Sequence, residues 1–329
     1  MGMKLKFDIE NMGNIDKATI IIKPLTIIAG ENSSGKTFVT KGLYTLLDFI
    51  YRDNNLLDIS FKKNFQITSL ESLINKNNYQ NLKLSLESFI DIEIDKNQNI
   101  DYKVMVDDLN SLENIIFFDS PLYTKIRKAV EKNSNSIKNE DKYLKGYPQY
   151  IEQFYEFIDK EYIDIPDFSD ISQEIQEIIN GRLEVSQSGD INYKDNQNNI
   201  IPISLTAMGI SNIGVIDLLL RNNIINKGSF LIMDEPEVHL HPKWQVFLAQ
   251  ILYKIAKSGA NIIIATHSLD FLKAFENILK EDGEKAEEII SINQMPYDEK
   301  NLELSELEKV GLVLDDLSKP FYNLYMKDI

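Results

Sequence analysis

The stretch that decides the fold is GENSSGKT, residues 30–37, which directly follows the apolar run LTIIA at residues 25–29. It fits the pattern G-x-x-x-x-G-K-[ST], in which a glycine-rich loop joins a strand to a helix and cradles phosphate groups. A helix predicted from Phe38 to about Ile50 completes this context. The stretch therefore predicts a nucleotide site, with ATP and Mg²⁺ as its ligands.

Each fixed position of the loop has a chemical reason. Gly30 and Gly35 let backbone N–H groups curl around a phosphate at the helix N-terminus. Lys36 would add a positive charge toward the β- and γ-phosphates, and Thr37 would offer its hydroxyl to Mg²⁺. The nucleotide-binding residues predicted here are Gly30, Asn32, Ser33, Ser34, Gly35, Lys36, Thr37 and Phe38.

A second strand carries two acids at its end. The sequence FLIMDEPEVHLHP, residues 230–242, begins with an apolar run typical of a strand covered on both faces. Ligands of α/β sheets bind at the carboxyl ends of such strands. We expect Asp234 to hold Mg²⁺ through its water shell and Glu235 to orient or deprotonate the attacking water.

A third apolar strand ends in a histidine. IIIATHS, residues 262–268, brings His267 to the same predicted edge as Asp234, where an imidazole could reach a γ-phosphate. The chain has only three histidines, and the other two are His239 and His241. A zinc site usually needs three or four ligands, so we favour a loop at a subunit contact over a metal pair.

Composition indicates an ordinary globular protein. The chain has 329 residues, 43% of them hydrophobic, and no cysteine, which excludes disulfides and thiolate metal sites. No run approaches the length of a membrane span, and we expect a cytoplasmic protein. The net charge of −16 disfavours a broad electrostatic grip on nucleic acid, although a local basic patch would still allow contact.

The order of strands and helices predicts an α/β fold with a mainly parallel sheet. We expect an N-terminal lobe with a β-rich layer at residues 1–120, a helical insertion at 121–182, and a C-terminal lobe at 183–329. The strands predicted from apolar or alternating runs are Leu5–Glu10, Ala18–Ile22, Leu25–Ala29, Phe89–Ile94, Tyr102–Val106, Ile115–Phe118, Leu183–Val185, Ile191–Tyr193, Ile200–Leu205, the Phe230 strand and Asn261–Ala265.

The insertion is predicted to contain long charged helices. Asp170 and Gln173 predict a capping box, and Gly181 falls where a glycine would end that helix. An aromatic stripe from Tyr147 to Phe157 is predicted to be core rather than a face for a partner.

Together these segments resemble the ABC-type ATPase superfamily, in the branch of the overcoming-lysogenization-defect (OLD) ATPases and the relatives of RecF and SMC heads. The resemblance rests on GENSSGKT, LIMDEPEVHLHP and IIIATHS, and it extends over nearly the whole chain. It implies a head-like fold of one ABC-type ATPase domain. The implied roles are the Walker A pair for Lys36 and Thr37, the Walker B acid for Asp234, the catalytic base for Glu235, the D-loop region for Leu240 and His241, and the switch histidine for His267.

The segment AMGISN, residues 207–212, stands where such relatives carry a signature that binds the γ-phosphate held by a second subunit. Met208 replaces the usual serine, and a thioether cannot donate a hydrogen bond. We therefore expect the contact to come from the Gly209 backbone, from the helix N-terminus, or from Ser211 or Thr206.

Two other parts of the family pattern are missing. No glutamine can be placed in the Q-loop, and Gln66 is a weak candidate. The residues that follow the His267 helix are too few for the TOPRIM nuclease of many OLD-type proteins.

The resemblance therefore implies an ATPase, slow because of Met208, that dimerises around ATP and controls a separately encoded effector such as a nuclease or toxin. The resemblance places such stand-alone ATPases in bacterial antiphage defence. The alternatives are an ATP-binding scaffold that scarcely hydrolyses, a RecF- or SMC-like DNA-repair head, and, least favoured, a transporter subunit.

Overall fold

The computed structural model describes residues 4–52, 56–77, 80–105, 113–136, 147–160 and 165–325. The strands are β1 (Leu5–Met12), β2 (Ile15–Ile22), β3 (Leu25–Gly30), β4 (Leu82–Leu86), β5 (Ile90–Ile94), β6 (Ile100–Val104), β7 (Ile115–Phe118), β8 (Gly181–Val185), β9 (Ile191–Asp195), β10 (Ile200–Pro202), β11 (Phe230–Asp234), β12 (Asn261–Thr266) and β13 (Ile290–Met295). The helices are α1 (Lys36–Tyr51), α2 (Leu57–Phe65), α3 (Tyr123–Ser136), α4 (Gln149–Ile158), α5 (Ser169–Ile179), α6 (Met208–Arg221), α7 (Pro242–Lys257), α8 (Leu269–Asp282), α9 (Glu284–Ile289) and α10 (Glu306–Tyr325).

A five-stranded sheet in the order β13-β3-β12-β11-β7 forms the centre of the fold. All its neighbouring strands are parallel. Every residue of β3 and β12 is buried, as expected of strands covered on both faces. The prediction of an α/β fold with a mainly parallel sheet is confirmed, and the carboxyl ends of β3, β12, β11 and β7 meet at one edge.

Helices cover this sheet. Helix α1 packs against β7, β11 and β12, whereas α7 packs against β3 and β12. Helix α10 packs against β13 and α8. The apolar strands are therefore removed from water, which is the main stabilising contribution of such a sheet.

A second sheet, with the order β2-β1-β4-β5-β6, is antiparallel throughout and forms the predicted β-rich N-terminal layer. Strand β4 was not predicted, although its sequence LKLSL alternates between buried and solvent-facing positions. Strand β6 begins two residues before the predicted Tyr102, and the predicted end, Val106, lies outside the described residues.

The segment between β7 and β8 contains α3, α4 and α5, so the helical character predicted there is confirmed. The aromatic side chains of α4 are core, as predicted, because Tyr150, Phe154, Tyr155 and Phe157 are all buried. The capping box was wrong: α5 begins at Ser169, and its N-cap, Phe168, makes no side-chain cap. Asn180, rather than a glycine, takes the left-handed conformation at its end.

A three-stranded antiparallel sheet, β10-β9-β8, matches the predicted meander and packs on α5 and α6. The predicted strand Ile200–Leu205 was too long, because β10 ends at Pro202 and Ile203–Leu205 forms a 3₁₀ turn. Within the described ranges, no helix is both long enough and apolar enough to cross a lipid bilayer.

Candidate functional site

The glycine-rich loop lies between β3 and α1, as predicted. Gly30 is required because another strand comes close to it, and Gly35 is required by its backbone angle. A Cβ atom on Gly30 would stand 2.0 Å from the carbonyl oxygen of Met295 in β13. Gly35 has φ of 101°, a left-handed value that side chains rarely tolerate. The loop is also tied to the turn between β1 and β2, because the Asn14 amide donates to the Ser33 carbonyl.

Lys36 lies over this loop and is 5% exposed. Its Nζ donates to the carbonyl oxygens of Gly30 at 2.9 Å and Glu31 at 2.8 Å. Burial lowers the pKa of Lys36, and the negative charges of Glu235 and Asp234 oppose that change. An ammonium group held in this way can exchange carbonyl oxygens for phosphate oxygens without leaving the loop.

The remaining predicted loop residues differ in their surroundings. Asn32 and Ser33 are exposed, whereas the Ser34 hydroxyl is buried and has no hydrogen-bond partner in the part of the chain that the structure describes. The Phe38 ring packs on Phe65, with ring centroids 6.1 Å apart. Any contact of Phe38 with phosphate would therefore come from its backbone.

Thr37 and Asp234 meet across the end of β12. The Thr37 hydroxyl donates to Asp234 Oδ2 at 2.8 Å. The pKa of Asp234 is raised, mainly by burial and also by the charge of Glu235, while the Thr37 hydrogen bond lowers it. The structure thus brings the two predicted metal-binding residues into direct contact.

Glu235 points to a different partner from that of its neighbour. It has φ of 52°, a left-handed value that is uncommon outside glycine, and its N–H donates to the Ala265 carbonyl at 2.9 Å. Glu235 Oε1 lies 2.7 Å from His267 Nδ1, directly after β12. The left-handed residue separates the acids, so that Asp234 faces the phosphate loop and Glu235 faces the histidine.

These residues fit ATP and Mg²⁺ as ligands. The orphaned Ser34 hydroxyl lies inside the loop, 3.2 Å from the Cβ position of Gly30, where a phosphate oxygen could satisfy it. A threonine hydroxyl paired with one carboxylate is a hard oxygen donor set of the kind that Mg²⁺ uses, with water supplying its other ligands. When bound, the ion would neutralise phosphate charge.

The acid that sequence analysis missed at this edge is Asp119. It directly follows β7, whose Phe118 pairs with Met233 of β11, so Asp119 lies beside Asp234. Its two carboxylate oxygens accept hydrogen bonds from the hydroxyls of Tyr123 and Tyr150, the latter at 2.9 Å. The sequence does contain a signal for Asp119, because IIFF followed by an acid has the same pattern as FLIM followed by Asp234.

A cavity of about 520 Å³ opens beside these acids, and its lining includes Thr37, Asp119, Tyr123, Asn212 and Glu235. Gln66, the weak candidate for the Q-loop, ends α2 and donates to the Lys63 carbonyl at 2.6 Å. It is absent from the lining of this cavity.

The segment predicted to bind a second subunit's phosphate starts α6 at Met208. A Cβ atom on Gly209 would stand 3.4 Å from both Leu240 and Trp244, so this glycine packs on the turn after the acids. Ser211 is fully buried, and its hydroxyl donates to a backbone carbonyl at 3.3 Å. Among the described residues, no hydrogen bond joins either residue to the phosphate loop of the same chain, and their role across a dimer stays a prediction.

The two histidines of the HLH segment have separate positions. His241 is the N-cap of α7, where its Nδ1 accepts from the Lys243 N–H at 3.3 Å. His239 is exposed and has φ of 68°. Over the described ranges, no group of three or more His, Asp or Glu side chains is arranged to hold a metal ion by itself.

Comparison with known families identifies the chain's relatives. Residues 25–273, more than half of the chain, match a family described as "AAA domain, putative AbiEii toxin, Type IV TA system". The chain belongs to this AAA-domain family. The matched residues span every strand-end segment of the site, from the loop before α1 to His267.

Solved structures with a similar fold include SMC heads. An SMC head domain from Pyrococcus furiosus, with an extended coiled coil and bound to the C-terminal domain of ScpA, superposes with a TM-score of 0.52. It is 16% identical, and the match covers 83% of this chain and 92% of that one. An SMC head bound to the C-terminal winged-helix domain of ScpA gives a TM-score of 0.53 at 14% identity, covering 82% and 90%. This AAA-domain protein is thus a P-loop ATPase-type domain with an SMC-head-like fold.

No protein of curated function matches the sequence significantly.

Proposed function

We propose that the protein binds ATP with Mg²⁺ and hydrolyses it as a switch. The observation that carries the proposal is the pair of contacts at one sheet edge, Thr37 with Asp234 at 2.8 Å and Glu235 with His267 at 2.7 Å. The first pair suits the metal and the second suits proton transfer. The negative charges of the two acids also raise the pKa of Lys36, which burial lowers.

The proposed reaction divides the work among these side chains. Lys36 and the loop N–H groups would hold the β- and γ-phosphates, and Thr37 with Asp234 would hold Mg²⁺. Water attacks the γ-phosphorus, the bond to the ADP oxygen breaks, and Glu235 accepts the proton of the attacking water. His267, whose Nδ1 lies 2.7 Å from Glu235 Oε1, orients that carboxylate.

We further propose that two copies enclose the nucleotide, with the phosphate loop of one facing the α6 N-terminus of the other. Met208 offers no hydroxyl at that terminus, and Ser211 is fully buried. The contact would then depend on Gly209 and the backbone N–H groups of α6. This arrangement favours slow turnover, and a scaffold that binds ATP without hydrolysis is the second candidate.

The biological role follows from this switch. We infer that nucleotide-driven closure controls a separately encoded effector, such as a nuclease or toxin, in an OLD-like antiphage system in the cytoplasm. The family description, which names a toxin–antitoxin system, is compatible with such a role. SMC heads solved with ScpA bound are examples of this fold taking a protein partner.

The proposed lobes are residues 1–120 with the phosphate loop, the helical insertion 121–182, and residues 183–329 with the acids, His267 and the α6 segment. Closure of the dimer would move the third lobe of one copy onto the first lobe of the other. The helical insertion, which touches Asp119 through Tyr123 and Tyr150, would transmit that movement to the effector.

The deciding experiment compares the purified protein with Glu235→Gln and Lys36→Ala. We expect Mg²⁺-dependent phosphate release from the wild type, and ATP binding with at least about 100-fold slower release from Glu235→Gln. Lys36→Ala should lose binding. Light scattering should show dimers of Glu235→Gln with ATP and monomers without it.

Two results would decide against this reading. Equal phosphate release from the wild type and Glu235→Gln, with ATP still bound, would favour the scaffold. Tight, salt-dependent DNA binding by the isolated protein would favour the RecF- or SMC-like alternative, which the net charge of −16 disfavours.

A further inference from the structure

The acid turn, residues 234–240, contains a third carboxylate that the proposed reaction does not use. Glu237 is 4% exposed. Its Oε1 accepts a hydrogen bond from the Thr266 hydroxyl at 2.5 Å, whereas its Oε2 is buried without a hydrogen-bond partner among the described residues. Burying a carboxylate destabilises the folded state, because burial removes its hydration. An apolar side chain would fill the same space without this loss.

Thr266 links Glu237 to the histidine. It is the last residue of β12 and directly precedes His267. While its hydroxyl donates to Glu237, the same oxygen accepts from the Ser268 N–H at 3.1 Å. The residues on both sides of His267 are therefore fixed to one oxygen atom, and that oxygen is oriented by Glu237.

The hydrogen bonds continue back to the acid turn. The Ser268 hydroxyl donates to Gln245 Oε1 at 2.8 Å, and the Gln245 amide donates to the Leu240 carbonyl at 3.2 Å. Ser268 also caps α8. The resulting ring joins the acid turn, the end of β12, and the starts of α7 and α8.

Glu237 interacts electrostatically with both members of the Glu235–His267 pair. Burial is the main cause that raises the pKa of Glu237, and the Thr266 hydrogen bond lowers it. The charge of His267 lowers this pKa and that of Glu235 raises it, so the three groups lie within electrostatic range. Among the described residues, the side chain that donates a hydrogen bond to the Glu237 carboxylate is Thr266 and not a member of the pair.

We propose that Glu237 is a positioning residue, which holds Thr266 and thereby sets the geometry of the Glu235–His267 pair. This inference rests on the proposed function, in which that pair performs the proton transfer. It gives the second glutamate of the DEPE sequence a role distinct from those of the first two acids.

The test compares four variants. Glu237→Ala removes the acceptor, and Glu237→Gln keeps an oxygen that can accept from Thr266. Thr266→Val removes the donor at nearly constant shape. Thr26→Val is the matched control, because Thr26 is also a fully buried threonine of the parallel sheet. Among the described residues, its hydroxyl bonds only to the Lys23 backbone.

We expect kcat to fall about 10- to 100-fold in Glu237→Ala and in Thr266→Val, since small misplacements of reacting groups have effects of this size. KM for ATP should change less than about threefold, because the phosphate loop is intact. Glu237→Gln should restore most of kcat, and Thr26→Val should resemble the wild type in both constants.

A second readout does not depend on turnover. With only three histidines in the chain, the imidazole signals of histidine-labelled protein can be assigned by removing each in turn. The His267 signal should move in Glu237→Ala and Thr266→Val and stay in place in Thr26→Val. If the wild type hydrolyses nothing, the proposed function fails, while the His267 signal still decides this inference.

The inference is overturned if Thr266→Val leaves both kcat and the His267 signal unchanged. It is equally overturned if Glu237→Gln is as impaired as Glu237→Ala, since charge rather than acceptance from Thr266 would then matter. Should Glu237→Ala fail to fold, Thr266→Val and Glu237→Gln carry the test.

Discussion

Two neighbouring strands of the parallel sheet both have an aspartate at the carboxyl end, but the two carboxylates have different hydrogen-bond partners. β7 and β11 are both apolar, lie side by side, and are closed by an aspartate, Asp119 after β7 and Asp234 at the end of β11. Asp234 accepts from Thr37 of the phosphate loop. Asp119 accepts from Tyr123 and Tyr150, which belong to helices of the 121–182 segment.

The difference lies in the partners of each carboxylate. All three side chains, Thr37, Asp234 and Asp119, border the same open cavity, but only the partner of Asp234 is a threonine hydroxyl of the kind that can bind a metal ion instead. Both oxygens of Asp119 are already engaged, and the Tyr150 ring packs 4.6 Å from that of Phe117. We infer that Asp234 serves the reaction, whereas Asp119 ties the helical segment to the sheet.

The largest expected effect is on the turnover of ATP, which should distinguish the two aspartates. Asp234→Asn should lower Mg²⁺-dependent turnover at least about 100-fold, because the metal loses its anionic anchor. Asp119→Asn keeps a similar shape and should lower turnover less than about tenfold. Steady-state phosphate release by both proteins checks this, and equal losses would break the comparison.

The next effect concerns Mg²⁺ and nucleotide binding in a Glu235→Gln background. At about 100-fold excess over Kd, Mg²⁺ and ATP should stabilise the protein by roughly 2.7 kcal/mol. The Mg²⁺-dependent part should vanish with Asp234→Asn and persist with Asp119→Asn. Thermal unfolding with ATP, with and without Mg²⁺, measures both, and a Mg²⁺ response retained by Asp234→Asn would contradict the assignment.

A smaller effect tests Asp119 as a structural tie. Tyr150→Phe removes a hydroxyl that donates to a carboxylate and should lower the free energy of unfolding by about 1.5–3 kcal/mol. Turnover at low temperature should change less than about threefold. Tyr322→Phe, at a tyrosine that is 64% exposed, is the matched control and should stay within about 0.5 kcal/mol of the wild type. Equal stabilities of the two variants in urea denaturation would show that the Tyr150–Asp119 hydrogen bond does not stabilise the fold.

The smallest expected effect is on stability without nucleotide, where the Asp→Asn substitutions at the two positions should have opposite signs. Burial raises the pKa of Asp234, so the folded state binds this proton more tightly than the unfolded state. Its contribution to stability is greatest below the ordinary value of 3.8 and declines as pH rises through the raised value. Without nucleotide at pH 7, Asp234→Asn should therefore be more stable by about 0.5–1 kcal/mol.

Asp119→Asn should instead be less stable at the same pH, because it weakens two hydrogen bonds. Urea denaturation from pH 4 to pH 8 checks both proteins. An Asp234→Asn advantage that does not grow with pH would contradict the assigned cause.

Much of the site could be predicted because its parts are contiguous in sequence. The phosphate loop and the two strand-end segments carry their chemistry within a few residues of an apolar run, and parallel pairing brings their ends to one edge. The contacts of Thr37 with Asp234 and of Glu235 with His267 follow from that order of strands.

The missed parts depend on contacts between distant segments. The role of Asp119 depends on its hydrogen bond with Tyr150, and that of Glu237 depends on its hydrogen bond with Thr266. Both partners lie about 30 residues away in the sequence. The capping box at Asp170 failed because α5 has its N-cap at the buried Phe168, two residues earlier, so that Asp170 lies inside the helix. Such partners are set by tertiary packing, which local spacing does not encode.

The strand order has a consequence for synthesis of the chain. The antiparallel sheet uses only strands β1, β2, β4, β5 and β6, all within residues 5–104, so it can form early on the ribosome. Within the described residues, strand β3 pairs only with β12 and β13, which are the last strands in the sequence. We therefore expect the nascent chain to carry the glycine-rich loop beside an unpaired apolar strand until β12 and β13 have left the exit tunnel of the ribosome.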